Sequence, residues 1–133
     1  MYRILDPIHI DRYGRDLYDK VYSFHKSHNG QFDTALDVAT GTGQVSSELS
    51  DSFKQVYAID ISSSMLQNAV KRSNITYSVS TAEDLSQFHS NSIDLITTAQ
   101  AVHWFSLNEF YKESFRVLKP HGTLAIWGYS SFF

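Results

Sequence analysis

The chain of 133 residues contains no cysteine and only two prolines. The absence of cysteine excludes a disulfide framework, a thiolate nucleophile and a metal site built on thiolates. Basic residues are also few, since 11 Lys and Arg stand against 14 Asp and Glu and the formal net charge is -3. Because this balance offers no electrostatic footprint for a phosphate backbone, we predict that the protein does not bind nucleic acid.

Long apolar runs are missing as well. No stretch reaches the roughly 20 residues that span a bilayer, and the N-terminus lacks the pattern of a signal peptide. The composition is that of a globular protein, with 42% hydrophobic and 14% aromatic residues. We therefore predict a soluble, cytoplasmic protein without membrane contact, folded as one domain over residues 1–133 around a single core.

Segments with strand-like patterns alternate with segments of helical spacing. Residues 1–11 are predicted to be irregular, because Asp6-Pro7 is a turn signal. Helices are predicted at about 12–28, 43–52, from Ser62 onward and at 107–118, and strands at about 34–39, 55–60, 75–79, 93–98 and 122–127. This alternation favours an α/β fold with a parallel sheet and right-handed crossovers. In such sheets, ligands bind beyond the carboxyl ends of the strands.

The segment 37–43 connects the first predicted strand to a helix through Gly41 and Gly43. Glycines allow a sharp turn and the close approach of a ligand, and the helix start behind them offers free N–H groups. A dinucleotide fingerprint would need a third glycine where Ser46 stands. The carboxylate of Asp37, just ahead of the glycines, would repel a pyrophosphate and attract an ammonium group. A glycine turn of this kind can also be purely structural.

Polar or small residues follow the other predicted strands. Asp60 ends the second strand, nineteen positions after Gly41, where a carboxylate can accept hydrogen bonds from ribose hydroxyls. The alternative is a cap for the helix that starts near Ser62. Further residues at this edge of the sheet are Ala82, Glu83 and Asp84 after the third strand, and Gln100, His103 and Trp104 after the fourth.

Two histidines on the first predicted helix raise the question of a metal site. His25 and His28 lie three residues apart, which places them on one helix face. No third ligand is in view, so we favour two solvated histidines near the end of the helix and predict no metal.

Several of these segments resemble motifs of the class I S-adenosylmethionine-dependent methyltransferases. The segment 37–43 is similar to the glycine-rich motif I of that family, with Ala39 at the position where the first glycine is usual. The segment 60–66 resembles the family's Asp-x-Ser-x-x-Met-Leu element, and 82–85 resembles its Ala-Glu-Asp-Leu element. Together these motifs identify the chain as similar to methyltransferases of the type 11 group.

The last third of the chain extends the resemblance. The segments 101–105 and 122–129 are similar to those of the trans-aconitate methyltransferase-like branch, and the whole resemblance covers roughly residues 12–133. It implies a Rossmann-like, doubly wound parallel sheet in strand order 3-2-1-4-5. It also implies that the chain stops before the last two strands of the family fold.

The resemblance implies that the chain binds S-adenosyl-L-methionine. The ligand would lie over the glycine turn, with its amino group near Asp37 and its ribose on Asp60. Met65 would pack near the adenine, although its position also suits the core of a helix. The implied cofactor-binding residues are Asp37, Ala39, Gly41, Gly43, Asp60, Ile61, Met65, Ala82, Glu83, Asp84 and Gln100.

The implied activity is methyl transfer to a small molecule, with a carboxylate of the trans-aconitate type as the candidate acceptor. A carboxylate acceptor needs no base, because it is ionised near neutrality. For a hydroxyl or amine acceptor, His103 is the candidate base, and His103 and Trp104 are the candidate catalytic residues. Alternatively, His103 stacks beside Trp104 and shapes the pocket wall, and Trp104 belongs to the core.

The position of the fifth predicted strand leads to a further expectation. Without the family's last two strands, the strand at 122–127 would be a sheet edge with unpaired outer groups. The aromatic residues Trp127, Tyr129, Phe132 and Phe133 would then expose apolar area, and the chain would self-associate through this edge. This expectation keeps open a second reading, in which the chain is a non-catalytic S-adenosylmethionine-binding remnant or a paralogue that depends on a partner.

Overall fold

The computed structural model describes residues 3–10, 14–99 and 106–129. Strands and helices alternate along nearly the whole of this part of the chain. The elements are β1 (Arg3–Ile10), α1 (Arg15–Ser27), β2 (Thr34–Val38), α2 (Gln44–Ser50), β3 (Gln55–Asp60), α3 (Ser63–Gln67), β4 (Ile75–Val79), β5 (Ile93–Ala99), α4 (Leu107–Val117) and β6 (Leu118–Tyr129). Among the described helices, none combines the length and apolar character needed to cross a bilayer.

The described strands form one sheet in the order β1-β6-β5-β2-β3-β4, and every pairing is parallel. The five predicted strands correspond to β2, β3, β4, β5 and β6. Their order in the sheet is third, second, first, fourth and fifth, so the predicted 3-2-1-4-5 order is confirmed. The reversal of strand order falls between β2 and β5, which places the carboxyl ends of these two strands at the topological switch point.

Two hydrophobic clusters cover the two faces of the sheet. Along β2, Ala35 belongs to one cluster and Leu36 to the other, as the two-residue period of a strand requires. The first cluster packs the sheet against α1 and α2. The second packs it against α4 and against the turn segment 82–88. Because both faces are covered, the buried strands are apolar almost throughout.

The N-terminal strand β1 corrects the prediction that residues 1–11 are irregular. It pairs in parallel with β6, and its register shifts between Leu5 and Ile8, the interval that contains Asp6-Pro7. Proline has no N–H to donate, so it is tolerated in an edge strand or at a bulge. The turn signal therefore marks an irregularity within a strand instead of the absence of one.

The strand β6 corrects the expectation of an uncovered edge at 122–127. It pairs with β5 on one side and with β1 on the other. Trp127 is 1% exposed, because α1 covers its face of the sheet and Leu17 and Val21 pack in the same cluster. The premise for self-association through this edge is thus wrong, and self-association itself stays a prediction. Residues 132 and 133 lie outside the described part of the chain.

The short helix α3 buries only part of its apolar surface. Leu66 is buried, whereas Met65 is 43% exposed and Val70, which follows the helix, is also exposed. The reason is position: α3 packs on β3 and on β4, the last strand of the sheet, so only one row of its side chains is covered. The alternative that Met65 belongs to a helix core is therefore wrong.

His25 also differs from its prediction, since it is fully buried and not solvated. Its Nε2 lies 2.7 Å from the carbonyl oxygen of Gln31, which can only accept, so Nε2 carries the proton. Its Nδ1 then accepts from the hydroxyl of Thr123, also at 2.7 Å. Burial lowers the pKa of His25, which keeps the ring neutral. Nδ1 therefore joins the end of α1 to β6, and Nε2 holds the loop that follows the helix, so neither ring nitrogen is free to bind a metal.

We predict that Gly30→Ala destabilises the fold by about 1–3 kcal/mol. A Cβ at Gly30 would overlap the His25 ring, which is held on both sides by hydrogen bonds and cannot move away freely. Urea unfolding monitored by circular dichroism measures the change in the free energy of unfolding.

Gly14→Ala is the matched control for this substitution. No heavy atom lies within 4 Å of a Cβ built at Gly14, and its backbone is extended. A small net change is expected there, since the entropy gained by removing a glycine is offset by a poorer N-cap. Equal effects of the two substitutions would show that the His25 ring does not restrict this site.

Candidate functional site

The glycine turn follows β2 and leads directly into α2. Its backbone is left-handed at Ala39 (φ 60), Gly41 (φ 60) and Gly43 (φ 84). Glycine adopts this conformation without strain, whereas at Ala39 it costs about 1–2 kcal/mol. At Gly43, the N-cap of α2, any Cβ would also collide with the hydroxyl group of Tyr77. The glycines are thus required by backbone conformation, and at Gly43 by space as well.

Asp37 lies beneath this turn and is 1% exposed. Its Oδ2 accepts hydrogen bonds from the hydroxyls of Thr40 at 2.7 Å and Ser46 at 3.0 Å, and its Oδ1 accepts from the hydroxyl of Thr97 at 2.8 Å. Burial raises the pKa of Asp37 to about 6, and the hydrogen bonds from these three hydroxyls limit the rise. One side chain therefore connects β2, the glycine turn, α2 and β5.

Asp60 holds the turn from the end of β3. Its Oδ2 accepts from the backbone N–H of Gly41 at 2.8 Å, and its Oδ1 accepts from the N–H of Ser62 at 2.9 Å. The N-cap of α3 is Ser62, whose hydroxyl accepts from the N–H of Met65. The cap interpretation of Asp60 is therefore wrong. Each carboxylate oxygen still has a lone pair for a further donor.

A cavity of about 220 Å³ opens above the turn, at the carboxyl ends of β2 and β5. Four of the predicted site residues line it, namely Asp37, Ala39, Gly41 and Met65. The other lining residues are Thr40, Thr42, Gln44, Val45 and Ala99, which the sequence analysis did not assign to cofactor binding. Thr40 and Thr42 occupy the variable positions of the glycine motif and Ala99 ends β5, so strand ends and motif spacing would have indicated them.

The remaining predicted residues of the described chain do not line this cavity, but they lie at or after the carboxyl ends of β2, β3 and β4 at the same edge of the sheet. Gly43 caps α2, and Ile61, next to Asp60, is 73% exposed. The segment 82–84 follows β4, and it is tied to β3 because the N–H of Ser80 donates to the carbonyl oxygen of Asp60 at 3.0 Å. Within it Ala82 is buried, Glu83 is half-buried and Asp84 is exposed. The hydrogen bond from Ser86 lowers the pKa of Asp84.

Three predicted residues fall outside the described part of the chain. These are Gln100, His103 and Trp104, and their roles stay predictions. The structure does place the residues on either side of them, since β5 ends at Ala99 at the rim of the cavity and α4 begins at Leu107.

A second cavity, of about 340 Å³, lies elsewhere in the fold. It is lined by Thr34, Tyr57, Gln87, Phe88, His89, Ser92 and Ile93. Thr34 and Ile93 are the first residues of β2 and β5, so this cavity is at the amino ends of the strands. Although it is larger, the cavity at the carboxyl ends is the stronger candidate, because ligands of open parallel sheets bind there.

Comparison with known proteins gives a consistent family assignment. A family model described as a methyltransferase domain matches residues 36–126, which is more than half of the chain. A Dictyostelium discoideum protein named as a methyltransferase is 43% identical over 112 residues, which cover 84% of this chain and 42% of that protein. A Saccharomyces cerevisiae protein named as an S-adenosylmethionine-dependent methyltransferase is 32% identical over 124 residues, or 88% of this chain and 42% of that protein.

Solved structures agree with the sequence relatives. A structure titled as a type II methyltransferase, from Anaeromyxobacter dehalogenans, superposes with a TM-score of 0.75 at 32% identity, covering 89% of this chain and 48% of that one. An S-adenosylmethionine-dependent methyltransferase of Clostridium acetobutylicum gives 0.74 at 24% identity over 86% of this chain and 50% of that one, which supports the fold alone. The chain thus spans less than half the length of the two curated relatives. Because the family model matches residues 36–126 and the predicted strand order is confirmed, the chain belongs to the class I S-adenosylmethionine-dependent methyltransferases.

Proposed function

We propose that this chain binds S-adenosyl-L-methionine and provides the cofactor site of a methyltransferase that acts on a small molecule. The observation that carries the proposal is the cavity at the carboxyl ends of β2 and β5, with its wall of glycine turn and buried carboxylate. The family assignment supports the same ligand.

The described residues fit the charge of S-adenosylmethionine. The wall of the cavity contains the carboxylate of Asp37, and among its described lining residues none is cationic. Such a wall favours the ammonium group of an amino-acid moiety and disfavours a phosphate, so it suits this ligand better than a dinucleotide. Ala39, Thr40, Gly41 and Thr42 would lie against the amino-acid end of the ligand, since they form the turn around Asp37.

The position of Asp60 fits the ribose. Two backbone N–H groups already fix the orientation of its carboxylate, so little side-chain entropy is lost when a further group binds. The free lone pairs of both oxygens would accept hydrogen bonds from the two ribose hydroxyls. Ile61 and Met65 provide exposed apolar surface next to Asp60, and this surface would cover one face of the adenine.

The bound cofactor supplies a methyl group that is activated by a positively charged sulfur. The residues of this chain then contribute mainly binding and orientation, which is the protein's usual share in such chemistry. The candidate acceptor is a carboxylate of the trans-aconitate type, and the candidate residues beside it are His103 and Trp104. These assignments and the cytoplasmic location rest on the sequence and stay predictions.

The first test is calorimetry with S-adenosylhomocysteine, the demethylated product. We expect the wild-type protein to bind it, and Asp60→Ala to weaken binding at least tenfold, or by about 1.4 kcal/mol. The substitution removes the proposed ribose acceptors and also frees the N–H of Gly41. Asp51→Ala is the control, because Asp51 is an exposed carboxylate at the far end of α2.

Two results would contradict the proposal. One is a folded wild-type protein that does not bind S-adenosylhomocysteine, and the other is an Asp60→Ala variant that binds it as well as the Asp51→Ala control. Binding of NADH instead would favour a dinucleotide site. Binding without methyl transfer to any small carboxylate would favour the non-catalytic alternative.

The buried charge of Asp37 gives binding a pH dependence. Because the pKa of Asp37 is about 6, the free protein carries this charge fully only above about pH 7. The ammonium group of the ligand favours the ionised form, so the affinity for S-adenosylhomocysteine should rise roughly tenfold between pH 5 and 7.5 and then level off. Asp37→Asn should bind more weakly at pH 7.5, with an affinity that hardly changes over this range.

The stability of the free protein should change in the opposite direction. Folding raises the pKa of Asp37 from 3.8 to about 6, so the folded state holds the proton more tightly than the unfolded state. Asp37 therefore lowers the free energy of unfolding as the pH rises from about 4 to 6, by on the order of 3 kcal/mol. Urea unfolding at several pH values should show this slope in wild type relative to Asp37→Asn, and equal slopes would mean that Asp37 titrates normally.

A further inference from the structure

The last turn of α4 is bound to the segment that follows β4 through the side chain of Arg116. Its Nη2 donates to the carbonyl oxygen of Leu85 at 2.8 Å, and its Nη1 donates to the carbonyl oxygen of Phe88 at 3.1 Å. Nη1 also lies 3.3 Å from the hydroxyl of Ser90. The guanidinium group is half-buried. Its two terminal nitrogens thus donate to main-chain and side-chain acceptors within the short segment 85–90.

Glu113, one turn earlier on α4, completes this arrangement. Its Oε2 accepts from Nε of Arg116 at 2.7 Å, and its Oε1 accepts from the backbone N–H of Leu85 at 3.1 Å. The hydrogen bond from Arg116 lowers the pKa of Glu113, so the ion pair persists at neutral pH. Both backbone polar groups of Leu85 are therefore held by side chains of α4.

The other end of the segment is tied to the main chain of Asp60, the residue proposed to bind the ribose. The N–H of Ser80 donates to the carbonyl oxygen of Asp60, and the hydroxyl of Ser80 donates to the carbonyl oxygen of Asp84, both at 3.0 Å. Hydrogen bonds on either side of residues 82–84 thus connect this segment to the end of β3 and to the end of α4. The orientation of the segment is fixed at one end by the sheet and at the other by Arg116 and Glu113.

We propose that Arg116 and Glu113 are positioning residues that orient segment 82–84 to recognise the adenine of the bound cofactor. The inference rests on the proposed function: with the ribose on Asp60, the adenine would lie toward β4, because the hydrogen bond from Ser80 to Asp60 brings the segment after β4 next to the ribose site. Neither residue contacts the ligand in this account. They determine instead which main-chain and side-chain groups of residues 82–84 face the purine, and so they set the selectivity for its amino group.

The test compares two ligands that differ only in the base. S-adenosylhomocysteine carries a 6-amino group on its purine, and S-inosylhomocysteine carries an oxygen there. We expect wild type to prefer the adenosyl ligand, because an unmatched polar group at the purine edge costs affinity. In Arg116→Lys, which keeps the charge but loses the fork, this preference should fall about tenfold, mainly through weaker binding of the adenosyl ligand.

Two further variants separate positioning from stability. Glu113→Gln keeps the shape of the side chain and removes its charge, so it should reduce the preference by a smaller factor. It also carries the test if Arg116→Lys does not fold. Lys112→Arg is the control, because Lys112 is exposed on the same helix, and it should leave the preference unchanged. Thermal unfolding establishes that each variant is folded at the temperature of the titration.

The outcomes distinguish the two proposals. A loss of base preference in the Arg116 and Glu113 variants supports the inference. Equal weakening of both ligands, with the preference retained, would show a purely structural role and overturn it. A wild-type protein that binds both ligands equally also overturns it, since segment 82–84 would then not read the amino group. A wild-type protein that binds neither ligand overturns the proposed function itself.

Discussion

The cavity at the carboxyl ends of β2 and β5 depends on the hydrogen bonds that hold one buried carboxylate, that of Asp37. An ionised carboxylate removed from water is costly unless hydrogen bonds compensate it, and here three hydroxyls do so. Those hydroxyls come from the glycine turn, from α2 and from the neighbouring strand β5. Satisfying this one charge therefore fixes the relative positions of every element around the proposed amino-acid site. Asp60 adds a second connection, from β3 to Gly41.

The central sheet could be predicted from the sequence because its strands are buried on both faces. Each is a continuous apolar run bounded by turn residues, and the alternation with helices leaves few topologies. The edges of the sheet were harder, since an edge strand has weaker constraints. β1 contains Asp6-Pro7, a turn signal that predicts irregular structure, and both its pairing with β6 and the coverage of Trp127 by α1 follow from tertiary packing alone.

The site shows the same division between local and long-range information. The turn at 39–43 and the placement of Asp60 follow from glycine chemistry and strand spacing, so motif reasoning found them. The partners of Asp37 could not be found in this way, because Thr97 lies far along the chain from it and has no motif of its own. The same holds for the contact of His25 with Thr123, and for the contacts of Arg116 with the carbonyl oxygens of Leu85 and Phe88, which have no sequence signature.

The most direct test of the account is a backbone amide NMR titration of the ¹⁵N-labelled protein with S-adenosylhomocysteine. The account predicts that the largest shift changes fall on three segments at the carboxyl edge of the sheet, namely 39–44, 60–65 and 82–85. Amides around the cavity at the amino ends of the strands, such as those of Thr34 and Tyr57, should change little. A folded protein whose shift changes centre on that second cavity, or which shows none at saturating ligand, would contradict the account.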